Sequence, residues 1–288
     1  MNKYPIKLTS VNKNIIWGGS RLGESYGKGE GKIAEAWELT VHPEGINAIE
    51  NGEYKGMLLS EYLGSDKDFP IMIKLIDAAD RLSVQVHPVK TEMWIVLEAD
   101  EGASLVYGLK DKFDEEEFAN AVSEGRVEEL LNFVPVKKGD VFFIPQGLVH
   151  AIGKGILIAE IQENSNITYR VYDYNRLQNG KPRELHVEQA IKTVKDFDED
   201  GINAIRYSCG RENENVLASC PLFTVERYVL DGNAVSLDTE NGFLSVICVE
   251  GEGVVGEEKM TKGDSFFLPE GMGKVTVSGN CEIIVSRA

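Results

Sequence analysis

The chain of 288 residues contains no apolar segment long enough to span a membrane. Its first residues, Met1-Asn-Lys-Tyr-Pro, lack the hydrophobic core of a secretory signal peptide. Cysteine is scarce as well, because only four cysteines occur, all in the last third of the chain and without paired spacing. That pattern is typical of reduced thiols rather than of a disulfide framework. We therefore expect a cytoplasmic protein.

Basic residues are outnumbered. The chain has 30 lysines and arginines against 47 aspartates and glutamates, which gives a formal net charge of −17 at pH 7. Such a charge repels nucleic acid and anionic membranes, so we expect neither as a partner. To bind an anionic small molecule, a protein with this net charge would need a local pocket of basic residues. The hydrophobic content of 42% indicates a globular chain rather than a disordered one.

Long helical patterns are also rare. Glycine, proline and asparagine interrupt short apolar runs throughout, which predicts a mainly β fold with many brief strands. Apolar residues at helical spacing predict two short helices within residues 113–132, separated at Gly125. Two further helices are expected within 185–194 and 56–63. The glycine-rich segment 18–31 matches no phosphate-binding spacing and no helical pattern follows it, so we expect it to form a mobile loop at the barrel mouth.

Two short stretches carry residues that are typical of a metal site. The first is Gln85-Val-His87-Pro-Val-Lys-Thr-Glu92. If this region begins as a strand, the alternation of side chains puts Ser83, Gln85 and His87 on one face. A serine, an amide and an imidazole facing a barrel interior have no packing rationale, whereas a bound cation explains them.

The second stretch runs from Gly139 to His150 and reads Gly-Asp-Val-Phe-Phe-Ile-Pro-Gln-Gly-Leu-Val-His. Pro145 and Gly147 predict a tight turn that delivers His150 to the start of the next strand. Together the two stretches provide two imidazoles, one carboxylate and one amide oxygen. This set suits a divalent metal, most simply zinc.

The second stretch belongs to an internal repeat. The segment from Lys138 to His150 recurs as the segment from Lys262 to Lys274, with the glycine, aspartate, phenylalanine and proline positions kept. A repeated β unit predicts two related barrels, an N-terminal domain at 1–200 with a helical insertion and a C-terminal domain at 201–288. Because the second copy ends in lysine where the first ends in histidine, only the N-terminal domain is expected to bind metal.

The ordered motifs resemble those of the cupin superfamily, whose jelly-roll barrels hold a metal inside. Gln85-x-His87-Pro followed by Glu92-Met-Trp is similar to the type I mannose-6-phosphate isomerases in their short bacterial form. The resemblance implies two cupin β-barrels with a few short helices. Further stretches that match in order are Ile16-Trp-Gly-Gly19, Ala36-Trp-Glu-Leu39, Phe69-Pro-Ile-Met-Ile-Lys74, His150-Ala-Ile-Gly153, Glu160-Ile-Gln162 and Thr168-Tyr-Arg-Val-Tyr-Asp173.

The resemblance implies a zinc-dependent aldose–ketose isomerase. The implied reaction interconverts mannose 6-phosphate and fructose 6-phosphate, and a proton moves between C2 and C1 through a cis-enediol. The implied partner is thus a small sugar phosphate. In the family one zinc ion is held by side chains that match, in this sequence, Gln85, His87, Glu92 and His150.

The resemblance also implies the catalytic and substrate-binding residues. Arg170 matches the family's active-site arginine, a guanidinium that can stabilise a developing enediolate. Glu160 and Lys90 are both candidates for the general base, and the sequence leaves the choice between them open. Ser83 and Lys74 match polar and basic positions of the substrate pocket.

Two other functions compete with this interpretation. Two histidines and one carboxylate also form the facial triad of Fe(II) cupin oxygenases. A non-catalytic sugar-binding cupin would keep the fold without turnover. Gln85 as a fourth ligand and the basic residues Lys74, Lys90 and Arg170 favour an enzyme that acts on a sugar phosphate. Whether the protein is a monomer or a homodimer stays open.

Overall fold

A computed structural model describes residues 2–64, 69–195, 197 and 215–288. The chain is mainly β over these residues, which confirms the predicted fold class. The strands, numbered in chain order, are β1 Ile6–Thr9, β2 Val11–Lys13, β3 Glu35–Leu39, β4 Val41–His42, β5 Gly45–Ile46, β6 Ala48–Ile49, β7 Ile71–Ala78, β8 Val84–Val86, β9 Glu92–Ala99, β10 Ser104–Leu109, β11 Leu131–Pro135, β12 Val141–Ile144, β13 His150–Ala151, β14 Ile156–Glu163, β15 Tyr169–Tyr172, β16 Leu177–Gln178, β17 Lys181–Pro182, β18 Val216–Ser219, β19 Thr224–Asp238, β20 Leu244–Val255, β21 Glu258–Thr261, β22 Ser265–Leu268 and β23 Lys274–Arg287.

Short helices interrupt the strands. They are α1 Arg21–Tyr26, α2 Leu59–Leu63, α3 Glu115–Ser123, the 3-10 helix Val127–Leu130 and α4 Val187–Ile191. The predicted helical segments are confirmed, but the expectation of a loop over 18–31 was wrong for residues 21–26, which form α1. Leu22 and Tyr26 bury one apolar side of α1, and Gly27, at φ 64°, ends the helix in the left-handed conformation. No helix among the described residues is long and apolar enough to cross a membrane.

The sequence of α3 explains where it begins and ends. The carboxylate of Asp114 accepts the backbone N–H of Glu117 at 2.8 Å, which satisfies a donor that the first helical turn leaves unpaired. Phe118 and Ala121 are buried beneath the helix. Gly125, at φ 72°, separates α3 from the 3-10 helix that follows, as the sequence predicts.

The chain packs into two compact units, each discontinuous in sequence. The first unit comprises Met1–Asn14, Ser20–Ile76 and Cys209–Ala288, and the second comprises Ile15–Gly19 and Asp77–Ser208. The predicted domain boundary between residues 200 and 201 lies outside the described residues. The division into domains at 1–200 and 201–288 therefore stays a prediction.

The first unit is built on an eight-stranded sheet. Its strand order is β18-β19-β23-β20-β22-β1-β6, and β21 pairs with β20. The N-terminal strand β1 joins the C-terminal strands through Ile6 opposite Phe267 and Leu8 opposite Ser265. The core of this unit is one cluster of buried apolar side chains, which includes Val246, Phe266 and Ile283. The strands β7, β3 and β2 pair in that order within this unit.

The second unit contains the sheet β11-β10-β13-β8-β15 and the paired strands β12-β9-β14. Val84 and Val86 of β8 are fully buried in an apolar cluster that includes Phe118 of α3 and Ala190 of α4. Strand alternation therefore directs the neighbouring side chains of β8 to the opposite face. Ser83, Gln85 and His87, which the sequence predicts to share one face, alternate with these valines.

Candidate active site

Strand register brings the predicted site residues together around β8. This strand lies between β13, where His150 pairs with Gln85, and β15, where Arg170 pairs with the same glutamine. The predicted turn before β13 is present. Gly147, at φ 89°, donates its backbone N–H to the carbonyl oxygen of His87 at 3.0 Å. The turn that delivers one histidine is thus hydrogen-bonded to the other.

His87, Glu92 and His150 form a buried cluster whose potential ligand atoms all lie within 4.8 Å of one another. The Nε2 atoms of the two histidines are 3.1 Å apart. Glu92 places Oε1 at 3.4 Å from Nε2 of His150 and Oε2 at 3.6 Å from Nε2 of His87. Three of the four predicted metal ligands therefore converge on one point.

Backbone carbonyls fix the orientation of both imidazoles. Nδ1 of His87 lies 3.0 Å from the carbonyl oxygen of Ile167, and Nδ1 of His150 lies 2.8 Å from that of Leu148. A carbonyl oxygen only accepts, so Nδ1 carries the hydrogen on each neutral ring and Nε2 carries a lone pair. The two lone pairs face each other, an arrangement that a cation between them would stabilise.

A proton is a poor candidate for that cation. Complete burial lowers the pKa of His150 to about 4, although its contact with the carbonyl of Leu148 acts in the opposite direction. At neutral pH His150 is therefore neutral and ready to ligate a metal. Two imidazoles and a carboxylate are a donor set that suits zinc. The residues present fit the predicted metal.

Gln85 lies beside this cluster. Its side-chain amide is 3.3 Å from Nε2 of His150, with the nitrogen on the near side. Because the oxygen and nitrogen of an amide exchange places by rotation of the terminal group, the same position can present the oxygen. An amide oxygen at this place is within reach of a cation held by the histidines.

Lys90 and Gln162 form a buried pair next to Glu92. The ammonium of Lys90 lies 2.7 Å from Oε2 of Glu92 and donates to Oε1 of Gln162 at 3.1 Å. The amide nitrogen of Gln162 donates to the carbonyl oxygens of Glu163 and Ser165, which leaves Oε1 facing the lysine. Sequence reasoning gave Gln162 no role, although its alternation with Glu160 along β14 is a signal that identifies it.

Glu160 is 4% exposed, and Trp94 orients it. Oε2 of Glu160 accepts a hydrogen bond of 2.9 Å from Nε1 of Trp94, which lies opposite it across β9 and β14. The indole ring also meets the ring of His150 edge-on at 5.5 Å between centroids. Trp94 follows Glu92 by two positions along β9, so the period of a strand could have placed it in the site.

Arg170 is half-buried on β15. Its Nε donates to Oγ of Ser83 at 3.2 Å, and its Nη1 donates to the carbonyl oxygen of Glu184 at 2.7 Å. Burial, and then the neighbouring charge of Arg183, lower the pKa of Arg170, yet an arginine stays charged at neutral pH. No carboxylate oxygen of the described residues lies within 4 Å of it. Such a guanidinium is suited to an anionic ligand.

Lys74 lies in the first unit, whereas all the other predicted site residues lie in the second. Its side chain is buried, with Nζ at 3.9 Å from Oε2 of Glu35 and 5.3 Å from the ring centre of Trp37. The same carboxylate oxygen accepts the indole N–H of Trp37 at 2.7 Å. The predicted contact of Lys74 with substrate stays a prediction.

Comparisons with known proteins agree with the geometry. The sequence profile described as "Phosphomannose isomerase type I, catalytic domain" matches residues 6–128, and "Mannose-6-phosphate isomerase, cupin domain" matches 213–288. The mannose-6-phosphate isomerase of Streptococcus mutans is 36% identical over 99% of this chain and 98% of its own length. ManA of Bacillus subtilis is also 36% identical and covers both chains fully. The chain belongs to the type I mannose-6-phosphate isomerase family.

Solved structures support the same family fold. The mannose 6-phosphate isomerase of Bacillus subtilis superposes with a TM-score of 0.86 at 32% identity, with both chains covered completely. A zinc-bound mannose 6-phosphate isomerase has a TM-score of 0.78 at 17% identity, with 98% of this chain and 99% of that chain covered, and at that identity it shows the fold alone. The predicted cupin fold is confirmed.

Proposed function

We propose that this protein is a zinc-dependent mannose-6-phosphate isomerase, which interconverts mannose 6-phosphate and fructose 6-phosphate. The observation that carries the proposal is the pair of imidazole Nε2 atoms of His87 and His150, 3.1 Å apart beside Glu92, in a chain of this family. One zinc ion per chain is expected, held by these three side chains and by Gln85. When bound, zinc supplies a Lewis acid that polarises the oxygens of the sugar.

Charge stabilisation is the first task of the protein side chains. The proton on C2 of an open-chain aldose is weakly acidic, so negative charge develops on the substrate oxygens as it leaves. Arg170 offers a half-buried positive charge that has no carboxylate within 4 Å among the described residues. Ser83 accepts from its Nε and so orients the guanidinium. Both residues are proposed to face the sugar phosphate, with Lys74 as a further substrate contact.

Proton transfer is the second task. Glu160 is proposed as the general base, because a carboxylate accepts a proton and Trp94 fixes its orientation through Oε2. Lys90 lies against Glu92 and Gln162 and carries donors rather than acceptors. It is proposed to donate to a substrate oxygen while Glu160 moves the proton between C2 and C1.

The cellular setting belongs to the same proposal. The described cysteines, Cys220, Cys248 and Cys281, are free thiols, which supports a reducing compartment, and we place the enzyme in the cytoplasm. The net charge of −17 supports a small-molecule substrate without nucleic acid or membrane partners. A monomer or a homodimer is proposed as the assembly.

The test is isomerase activity of the purified protein with mannose 6-phosphate, followed as fructose 6-phosphate. Oxygen consumption, measured in parallel with added Fe(II), covers the oxygenase alternative. The proposal predicts sugar-phosphate turnover without oxygen uptake. Binding of the sugar phosphate without turnover by the zinc-loaded protein would favour the non-catalytic cupin instead.

A further inference from the structure

Residues 184–186, which follow β15 in the chain, contact Arg170 at three atoms. The carbonyl oxygen of Glu184 accepts from Nη1 of Arg170 at 2.7 Å. The backbone N–H of His186 donates to the carbonyl oxygen of Arg170 at 2.7 Å, and the backbone N–H of Arg170 meets Nδ1 of His186 at 3.4 Å. Residues 184–186 therefore hold both the main chain and the side chain of this arginine.

A buried ion pair fixes that segment in place. Arg183, the residue before Glu184, donates through Nε to Oδ2 of Asp173 at 2.7 Å and through Nη2 to Oδ1. The side chain of Asp173 is 5% exposed and that of Arg183 is 12% exposed. Burial opposes ionisation of Asp173, but hydrogen bonds from Arg183 and Arg176 lower its pKa overall, so the pair is charged at neutral pH. A two-pronged arginine–carboxylate contact has a narrow range of geometries.

The chain between the two partners is held at its start by Arg176, which donates through Nη2 to Oδ1 of Asp173 at 2.6 Å and through Nη1 to Oδ2 of Asp80 at 3.2 Å. It contains the short hairpin β16–β17, in which Leu177 is 59% exposed. Tyr174 and Asn175, directly after Asp173, have φ angles of 56° and 55°, a left-handed conformation that side chains other than glycine adopt at a cost of about 1 kcal/mol each. The turn therefore needs outside contacts to persist. Arg176 supplies such contacts for the first part of the segment, and the Asp173–Arg183 pair ties its far end back to Asp173, directly after β15.

We propose that Asp173 and Arg183 are positioning residues for Arg170. Their ion pair fixes the Glu184 carbonyl against Nη1, while Ser83 holds Nε, so the guanidinium plane is set before substrate binds. Among the described residues no hydrogen bond uses Nη2 of Arg170, which leaves that group for an anionic ligand. This inference rests on the proposed function, in which Arg170 faces the sugar phosphate.

The rival explanation is charge alone, because Arg183 also adds a positive charge near Arg170. Two variants separate the explanations. Arg183→Lys keeps the charge but loses the planar fork, and Arg183→Met loses both. Positioning predicts that both variants lower kcat by about 10-fold to 100-fold, since small misplacements of a reacting group have effects of that size. A pure charge role predicts that kcat of Arg183→Lys is close to that of the parent enzyme.

The measurements use the full-length, zinc-loaded protein. We expect KM for mannose 6-phosphate to change little, and zinc content to stay at the parent value. Arg227→Met is the matched control, because it breaks a partly buried arginine–glutamate pair with Glu282 in the first unit. This control should leave kcat unchanged. Normal kcat in Arg183→Lys, or loss of zinc in both Arg183 variants, would overturn the proposal.

A double-mutant cycle tests whether Arg183 acts through Arg170. Arg183→Met should add less than about a 2-fold loss when Arg170 is already alanine, because nothing remains to be positioned. If the loss of kcat in the double variant equals the product of the losses in the two single variants, the proposal is contradicted.

A readout independent of turnover separates this inference from the proposed function. The Nε–H of Arg170 is donated to Ser83, so its ¹⁵N–¹H signal should exchange slowly with water and broaden or disappear in Arg183→Lys. That result would support positioning even if mannose 6-phosphate were not the substrate. An unchanged signal would overturn positioning even if the isomerase activity were established.

Discussion

In the metal-free protein, stability should depend on pH through His150. The unfolded chain binds a proton at this residue below its ordinary pKa of 6.5, whereas burial holds the folded-state pKa at about 4. Between these two values the unfolded state carries the extra proton. The folded apoprotein therefore loses stability as the pH falls from 6.5 to 4, and below that value the loss is complete.

The magnitude follows from the two pKa values. Each pH unit within the window costs about 1.4 kcal/mol of unfolding free energy. His150 is fully buried, so solvent does not screen the effect. We expect a loss of about 2 kcal/mol between pH 6.5 and pH 5, and about 3 kcal/mol by pH 4. Asp173, whose pKa lies below its ordinary 3.8, contributes only at lower pH.

The assay is urea denaturation of the chelator-treated protein at pH 8, 6.5 and 5. With a urea m-value of about 3 to 4 kcal/mol/M, the midpoint of the parent should fall by roughly 0.6 M between pH 6.5 and pH 5. The same titration of His150→Gln supplies the control, because the variant lacks the buried imidazole. If the urea midpoints of parent and variant fell by the same amount between pH 6.5 and pH 5, the reasoning would be refuted.

Other predictions concern single side chains. Arg170→Ala should retain zinc by metal analysis and lose at least about 100-fold in kcat, and normal turnover would remove its proposed role. Gly153→Ala would place a methyl group 1.7 Å from the carbonyl oxygen of Ser104, so thermal unfolding should show destabilisation by at least about 2 kcal/mol, and an unchanged Tm would contradict the packing. The thiol of Cys248 is fully buried and burial raises its pKa to about 12, so an aromatic disulfide reagent at pH 8 should modify the partly exposed Cys220 before Cys248. Faster reaction at Cys248 would contradict its burial.

Local patterns in the sequence predict the polar face that carries Gln85 and His87, because side-chain direction in a strand depends on the backbone of that strand alone. Val84 and Val86 lie in the apolar cluster, and the alternate residues turn away from it, as the period of two requires. The turn at Gly147 is equally local, since a glycine there supplies a positive φ angle. These two features account for the placement of the histidines.

The supporting contacts could not be predicted in the same way. The hydrogen bond from Trp94 to Glu160 depends on the register between β9 and β14, which a single strand does not encode. The carbonyl of Glu184 reaches Arg170 only because the chain turns back after β15. The helix α1 escaped prediction because the burial of Leu22 and Tyr26 outweighs the glycines around them.

Reversible loss of activity on metal removal tests the central claim most directly. Mannose 6-phosphate isomerisation is measured on the purified protein before chelation, after exhaustive chelation, and after addition of one equivalent of zinc, with His150→Gln treated in parallel. We predict that activity disappears with the metal, returns with zinc in the parent, and does not return in the variant. Full activity in protein that metal analysis shows to be free of zinc and other divalent metals would contradict the account.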